Sequence, residues 1–113
     1  MKIKGTNISM TRGDSEAIKV TVKDTLGNIV PLVTGDTIYF TVRENLLSPT
    51  KIIEKIITEF VDGQALITIH PQDTNDLRFL SYVYDIQLTK ENGAVKTIIP
   101  PSHLTITGEV TYD

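Results

Sequence analysis

Tyr82-Val83-Tyr84-Asp85-Ile86-Gln87-Leu88 decides the fold of this chain. Tyr82, Tyr84, Ile86 and Leu88 recur at every second position, the period of a strand with one face buried. The run closes on Glu91-Asn92-Gly93. Asn-Gly between alternating runs is a hairpin signal, so Ala94 to Ile99 is predicted to fold back on the tyrosine strand.

The same alternation extends outward in both directions. Ile18, Val20 and Val22 alternate with polar residues and run into the turn Asp24-Thr25-Leu26-Gly27-Asn28. Ile38, Phe40 and Val42 share one face of a second run, and Ala65, Ile67 and Ile69 share one face of a third, after a turn at Asp62-Gly63. Leu104 and Ile106 predict a last strand, continued past Gly108 by Val110 and Tyr112. Roughly seven to nine short strands without a long helix predict an all-β chain, a sandwich or small barrel.

Two segments depart from simple alternation. Lys51 to Thr58 carries Ile52, Ile53, Ile56 and Ile57 at helical spacing, with Glu54 and Lys55 between them. Four β-branched residues pack better on a pleated surface, which favours a strand, with a bulge to absorb the spacing. Pro71-Gln72-Asp73-Thr74-Asn75-Asp76-Leu77 reads as a short helical turn opened by Pro71, with Leu77 plugging the core.

The 113 residues are 40% hydrophobic and 22% charged, ordinary proportions that predict a single folded domain over 1–113 rather than disorder. The absence of cysteine removes disulfides, thiol nucleophiles and thiolate metal ligands together. Net charge is -3 with no basic cluster to release counterions from a phosphate backbone, which disfavours nucleic acid as a partner. No apolar run reaches membrane-spanning length, so no membrane partner is expected. Met1-Lys2-Ile3-Lys4-Gly5 lacks the apolar core of a signal peptide, and synthesis in the cytoplasm is the expectation.

Residues able to carry chemistry are few. His70 and His103 are the only histidines, and no H-x-x-x-H spacing or cysteine accompanies them as zinc ligands. No serine stands in a nucleophile elbow. Asp73 with Asp76, and Asp14 with Glu16, fall in turns, where a carboxylate accepts backbone N–H groups more readily than it forms an acid–base pair. Asp73-Thr74-Asn75-Asp76 lacks the remainder of a calcium loop. Arg12-Gly13-Asp14 spells the integrin tripeptide, but Gly13-Asp14 more simply turns the chain into the next strand. Asn7-Ile8-Ser9 fits the glycosylation pattern, which carries no weight without a secretory signal. No catalytic, cofactor-binding or metal residue is assigned.

Asp85 is the most unusual polar residue, lying mid-strand on the face opposite Tyr82 and Tyr84. If that face is outward, Asp85 is a surface charge. If it is inward, it needs a backbone donor or a cation such as Arg43. Tyr82 or Tyr84 is expected to bury its ring and bond through its hydroxyl at a corner, as in immunoglobulin-like sandwiches.

Met10 to Ser15, Val22-Lys23-Asp24 with Gly27-Asn28, Leu32 to Arg43, Ile69 to Thr74, Tyr82 to Leu88, Gly93 to Thr97, and Gly108-Glu109-Val110-Thr111 follow one another along the chain. In this order they resemble small structural proteins of tailed phages and prophages, including the N-terminal domain of upper baseplate proteins. The resemblance covers nearly the whole chain. It implies an immunoglobulin-like β-sandwich serving as a non-enzymatic virion building block in a tail or baseplate. One departure is Phe79-Leu80-Ser81-Tyr82, where similar sequences often place a glycine before the tyrosine strand.

Such a part is expected to bind other virion or tail proteins and to form a homo-oligomer, since one repeated interface closes a particle axis. Sheet edges and the apolar residues Ile52, Ile53, Ile56, Ile57 and Phe60 are the candidate contact surfaces. The alternative is a carbohydrate-binding or adhesion module on the same sandwich, which would need exposed aromatic platforms from a chain with no tryptophan, four tyrosines and three phenylalanines.

Overall fold

Ile38, Phe40 and Val42 are wholly buried, and the strand that carries them stands inside the larger of two sheets. A computed structural model describes residues 1–108, so Val110 and Tyr112 lie outside the described residues. Eight strands are formed among these residues: β1 (Lys2–Lys4), β2 (Asn7–Thr11), β3 (Glu16–Val20), β4 (Thr37–Arg43), β5 (Ile53–Ile57), β6 (Ala65–Ile69), β7 (Ser81–Thr89) and β8 (Val95–Thr107). One turn of helix, α1 (Pro71–Thr74), follows β6. The chain is all-β, as its alternation predicts.

The six-stranded sheet runs β1-β2-β8-β7-β4-β5, and β3 pairs with β6 in a second sheet. All neighbours are antiparallel except β2 and β8, which run parallel from Ile8↔Leu104 to Thr11↔Thr107. Inward residues of both sheets meet in one apolar core: Ile8 and Met10, Ile18 and Val20, Ile67 and Ile69, Tyr82 to Leu88 at alternate positions, Leu104 and Ile106. This is a β-sandwich arrangement, with each strand contributing every second side chain.

Lys51 to Thr58 forms strand β5 rather than a helix. Pairing on β4 sets its faces: Ile53, Lys55 and Ile57 stand opposite Val42, Phe40 and Ile38 and point inward. Glu54 and Ile56 point outward.

The predicted return of Ala94 to Ile99 along the tyrosine strand is formed, but it does not end there. Val95–Thr107 is one continuous strand and includes the residues expected to make a separate last strand. Its length exceeds that of β7, and the surplus is absorbed in register shifts on either side of Ile86. Pro100 and Pro101 fall in this irregular stretch, where the missing N–H groups cost no regular ladder bond. The prolines therefore bend a strand without interrupting it.

At Pro71-Gln72-Asp73-Thr74 the expected helical turn forms, with Asp73 accepting the His70 N–H at 2.7 Å. The core plug is a different residue from the one expected. Thr74 is completely buried, whereas Leu77 packs only partly against the core. Thr74 Oγ1 accepts the Gly13 N–H at 2.8 Å, so the hydroxyl is partnered and the threonine can be enclosed. Gly13 has φ 84°, and the Asp14 N–H donates to the Thr11 carbonyl, which makes Arg12-Gly13-Asp14 a tight turn.

Candidate functional site

The second sheet covers the inner face of the six-stranded sheet and leaves the outer face to solvent. Tyr39, Thr41 and Arg43 on β4, Glu54 and Ile56 on β5, and Val83, Asp85 and Gln87 on β7 occupy that outer face by strand alternation. Two shallow depressions of about 130 and 320 Å³ share Thr41, Arg43 and Asp85. Leu46 lines the smaller one, with Asn45 and Pro101, and Val95 lines the larger one, with Lys51 and Thr89.

Asp85 lies at the centre of this face. It sits opposite Thr41 of β4, and the register on its other side passes from Tyr84↔Ser102 to Ile86↔Ile99 without a partner for it. Its carboxyl is partly desolvated, which raises its pKa above 3.8, and the Arg43 charge acts in the opposite direction. Arg43 is fixed by donating to the Ser48 carbonyl at 3.0 Å and the Pro49 carbonyl at 2.8 Å. A partly buried carboxylate and an anchored guanidinium thus lie beside the exposed apolar side chains Leu46 and Val95.

The five apolar residues expected at a contact surface do not form one patch. Ile53 is in the core, and Ile52, Ile57 and Phe60 pack partly against it. Ile56 alone stands exposed on the outer face, opposite Tyr39. The hairpin tip between β4 and β5 adds Leu47, 93% exposed, which sequence reasoning did not single out.

The two tyrosines face inward. Tyr82 donates its hydroxyl to the Arg78 carbonyl at 3.0 Å, four residues upstream, the geometry expected of a corner. Tyr84 donates to the Thr6 carbonyl and packs its ring on Phe40 at 5.5 Å between centroids. Burial pushes the Tyr84 phenol above its ordinary pKa of 10.0.

No protein-family model matches this sequence, and no curated protein matches it.

Two polar anchors escaped sequence reasoning. Asp36 is almost fully buried, accepts the Val33 N–H at 3.1 Å and meets Lys90 Nζ at 3.3 Å. Lys55 reaches inward from β5 to Asp73 Oδ2 at 2.8 Å. Burial alone would raise the Asp73 pKa, but the Lys55 and His70 hydrogen bonds outweigh it and hold the carboxyl below 3.8. For Lys55 a signal existed: the strand reading places it on the face of Ile53 and Ile57.

His70 precedes α1, while His103 lies exposed on β8 opposite Val83. Neither lines the depressions described above. Among the described residues no group of three or more His, Cys, Asp or Glu side chains could hold a metal ion. Phe79 is the most exposed aromatic ring of the described residues, and the Arg12 guanidinium covers it at 4.2 Å from the centroid.

Proposed function

We propose that this chain is a non-enzymatic assembly component of a phage tail or baseplate, acting through protein–protein contacts. The observation that carries this reading is the outer face of the six-stranded sheet, where Arg43 and Asp85 line depressions with Leu46 and Val95 and Ile56 stands exposed on the same face. A partner face laid over it would bury the apolar side chains, and the anchored Arg43 guanidinium is a residue type enriched at interfaces. The parallel β2–β8 pairing and the Tyr82 corner support an immunoglobulin-like form of the sandwich. The order of motifs along the chain, similar to that of phage structural proteins, supports the tail or baseplate setting.

The same face on two copies can meet across a two-fold axis, so a homo-oligomer is part of the proposal. Light scattering on the purified chain, alone and mixed with phage tail proteins, tests it. The expected result is a defined oligomer or a stable mixed complex. A chain that stays monomeric at millimolar concentration and joins no tail protein overturns it.

A further inference from the structure

The two flanks of the sandwich differ. On one, β5 and β6 lie close together and the Lys55–Asp73 ion pair spans the gap between β5 and α1. On the other, β1 and β3 stand apart around an open cleft of about 350 Å³. Ile3 forms one lip, Ile18 to Thr21 and Lys23 form the other, and Ile8, Tyr84, Ile86, Ile98 and Ile99 make an apolar floor. The Met1 amine, 3.1 Å from Glu16, is the ion pair that links the two lips at one end.

Among the described residues β3 has β6 as its only strand neighbour, so its cleft-side edge offers backbone groups that no described strand uses. The charge around this edge is mainly basic: Glu16 at the start of β3 is taken up by the Met1 amine, and Asp24 follows Lys23. Lys2 and Lys4 on β1, with Lys19 and Lys23 beside or on β3, are all exposed. None has a carboxylate within ion-pair distance among the described residues, whereas Lys51, Lys55 and Lys90 are each paired. In a chain of net charge -3, an unpaired basic rim over an apolar floor marks a surface complementary to something acidic and apolar in alternation.

We infer that this cleft takes an extended protein segment, with acidic and aliphatic residues in alternation, as a third strand of the β3–β6 sheet. This deepens the assembly reading above and rests on it. The added strand bonds its backbone to the free edge of β3, the recognition mode of β-strand addition. Its inward aliphatic side chains meet Ile3, Ile8 and Ile99, and its outward carboxylates stand beside Lys19 and Lys23 as cross-strand pairs. Along the β1 lip, Lys2 and Lys4 draw the same acidic segment.

The probe is a synthetic octapeptide alternating glutamate and valine, titrated into the isotopically labelled full chain and followed by backbone amide shifts. Expected are saturable shifts over residues 16–23 and slowed amide exchange there. Lys19→Glu combined with Lys23→Glu, both at exposed positions, should weaken binding about tenfold. N-methylating alternate peptide amides on the ladder-forming side should abolish it. Absence of binding, shifts confined to other strands, or insensitivity to N-methylation overturns the inference. So does equal affinity for an oligothymidylate, which would reduce the rim to unspecific attraction of anions. A chain that assembles with tail proteins yet ignores the peptide sinks the cleft alone. A chain that binds the peptide but neither oligomerises nor joins tail proteins sinks the assembly reading and supports the cleft.

Discussion

Lys55 and Asp73 meet at 2.8 Å, joining an edge strand to the single helical turn that follows β6. A lysine turned inward on an edge strand makes it costly for another chain to pair there, since the charge would lose its partner and its water together. The β5 edge is thereby guarded, while its outer face remains available for contact.

This ion pair sets an acid-side prediction. The folded Asp73 carboxyl titrates below its ordinary 3.8, so it contributes stability that is present above that value and lost as pH falls through the lowered folded value. Asp73→Asn should cost about 1 kcal/mol at pH 7 and clearly less at pH 2. Urea unfolding at both pH values checks it, and an equal cost at each would contradict the linkage.

Asp85 predicts the opposite sign. Its folded carboxyl is harder to ionise than the unfolded one, so it detracts from stability as pH rises from 3.8 through the raised folded value. Asp85→Asn should therefore raise the unfolding midpoint at pH 7, by an amount worth up to about 0.5 kcal/mol, and leave it unchanged near pH 2. Thermal melts at the two pH values decide this.

Thr74→Val keeps the shape of the buried side chain but leaves the Gly13 N–H without its acceptor. A loss of about 1–3 kcal/mol is expected, with faster amide exchange at Gly13. An unchanged exchange rate would mean that the hydroxyl does not hold the turn.

Tyr82→Phe removes one hydrogen bond, to the Arg78 carbonyl, and almost no volume. The expected cost is about 1 kcal/mol in urea unfolding, without change in oligomeric state.

Ile56→Lys places a charge on the exposed outer face. Monomer stability should stay within about 0.5 kcal/mol of the parent. Self-association, measured by sedimentation equilibrium, should weaken at least about tenfold if the face is an interface core.

How far the sequence speaks depends on how far apart the partners are. β4 and β7 are legible because alternation is a local property, and Ile38, Phe40, Tyr82 and Tyr84 point where it places them. Alternation also left the side of Asp85 open until the buried face was known. The continuity of β8 was not legible, because Pro100-Pro101 reads locally as a break and only pairing with β7 carries the strand through. Thr74 and Asp36 were hidden for another reason: Gly13 lies 61 positions from Thr74, and Lys90 lies 54 from Asp36. The isoleucine run predicts a contact face, yet pairing to β4 turns Ile53 and Ile57 inward and leaves Ile56 outward.

The parallel union of β2 with β8 has a consequence for the order of synthesis. Asn7 accepts the His103 N–H across 96 positions of sequence, so the sheet is completed only after its last strand has left the ribosome. Until then Ile8 and Met10 have no partner strand on that side, and β7 lacks the neighbour that joins it to β2. Contacts of such long range fold slowly, because loop closure precedes the gain from pairing. The nascent chain therefore spends its synthesis with an open apolar edge, and its yield in cells should depend on how well that edge is shielded while residues 95–107 are still being made.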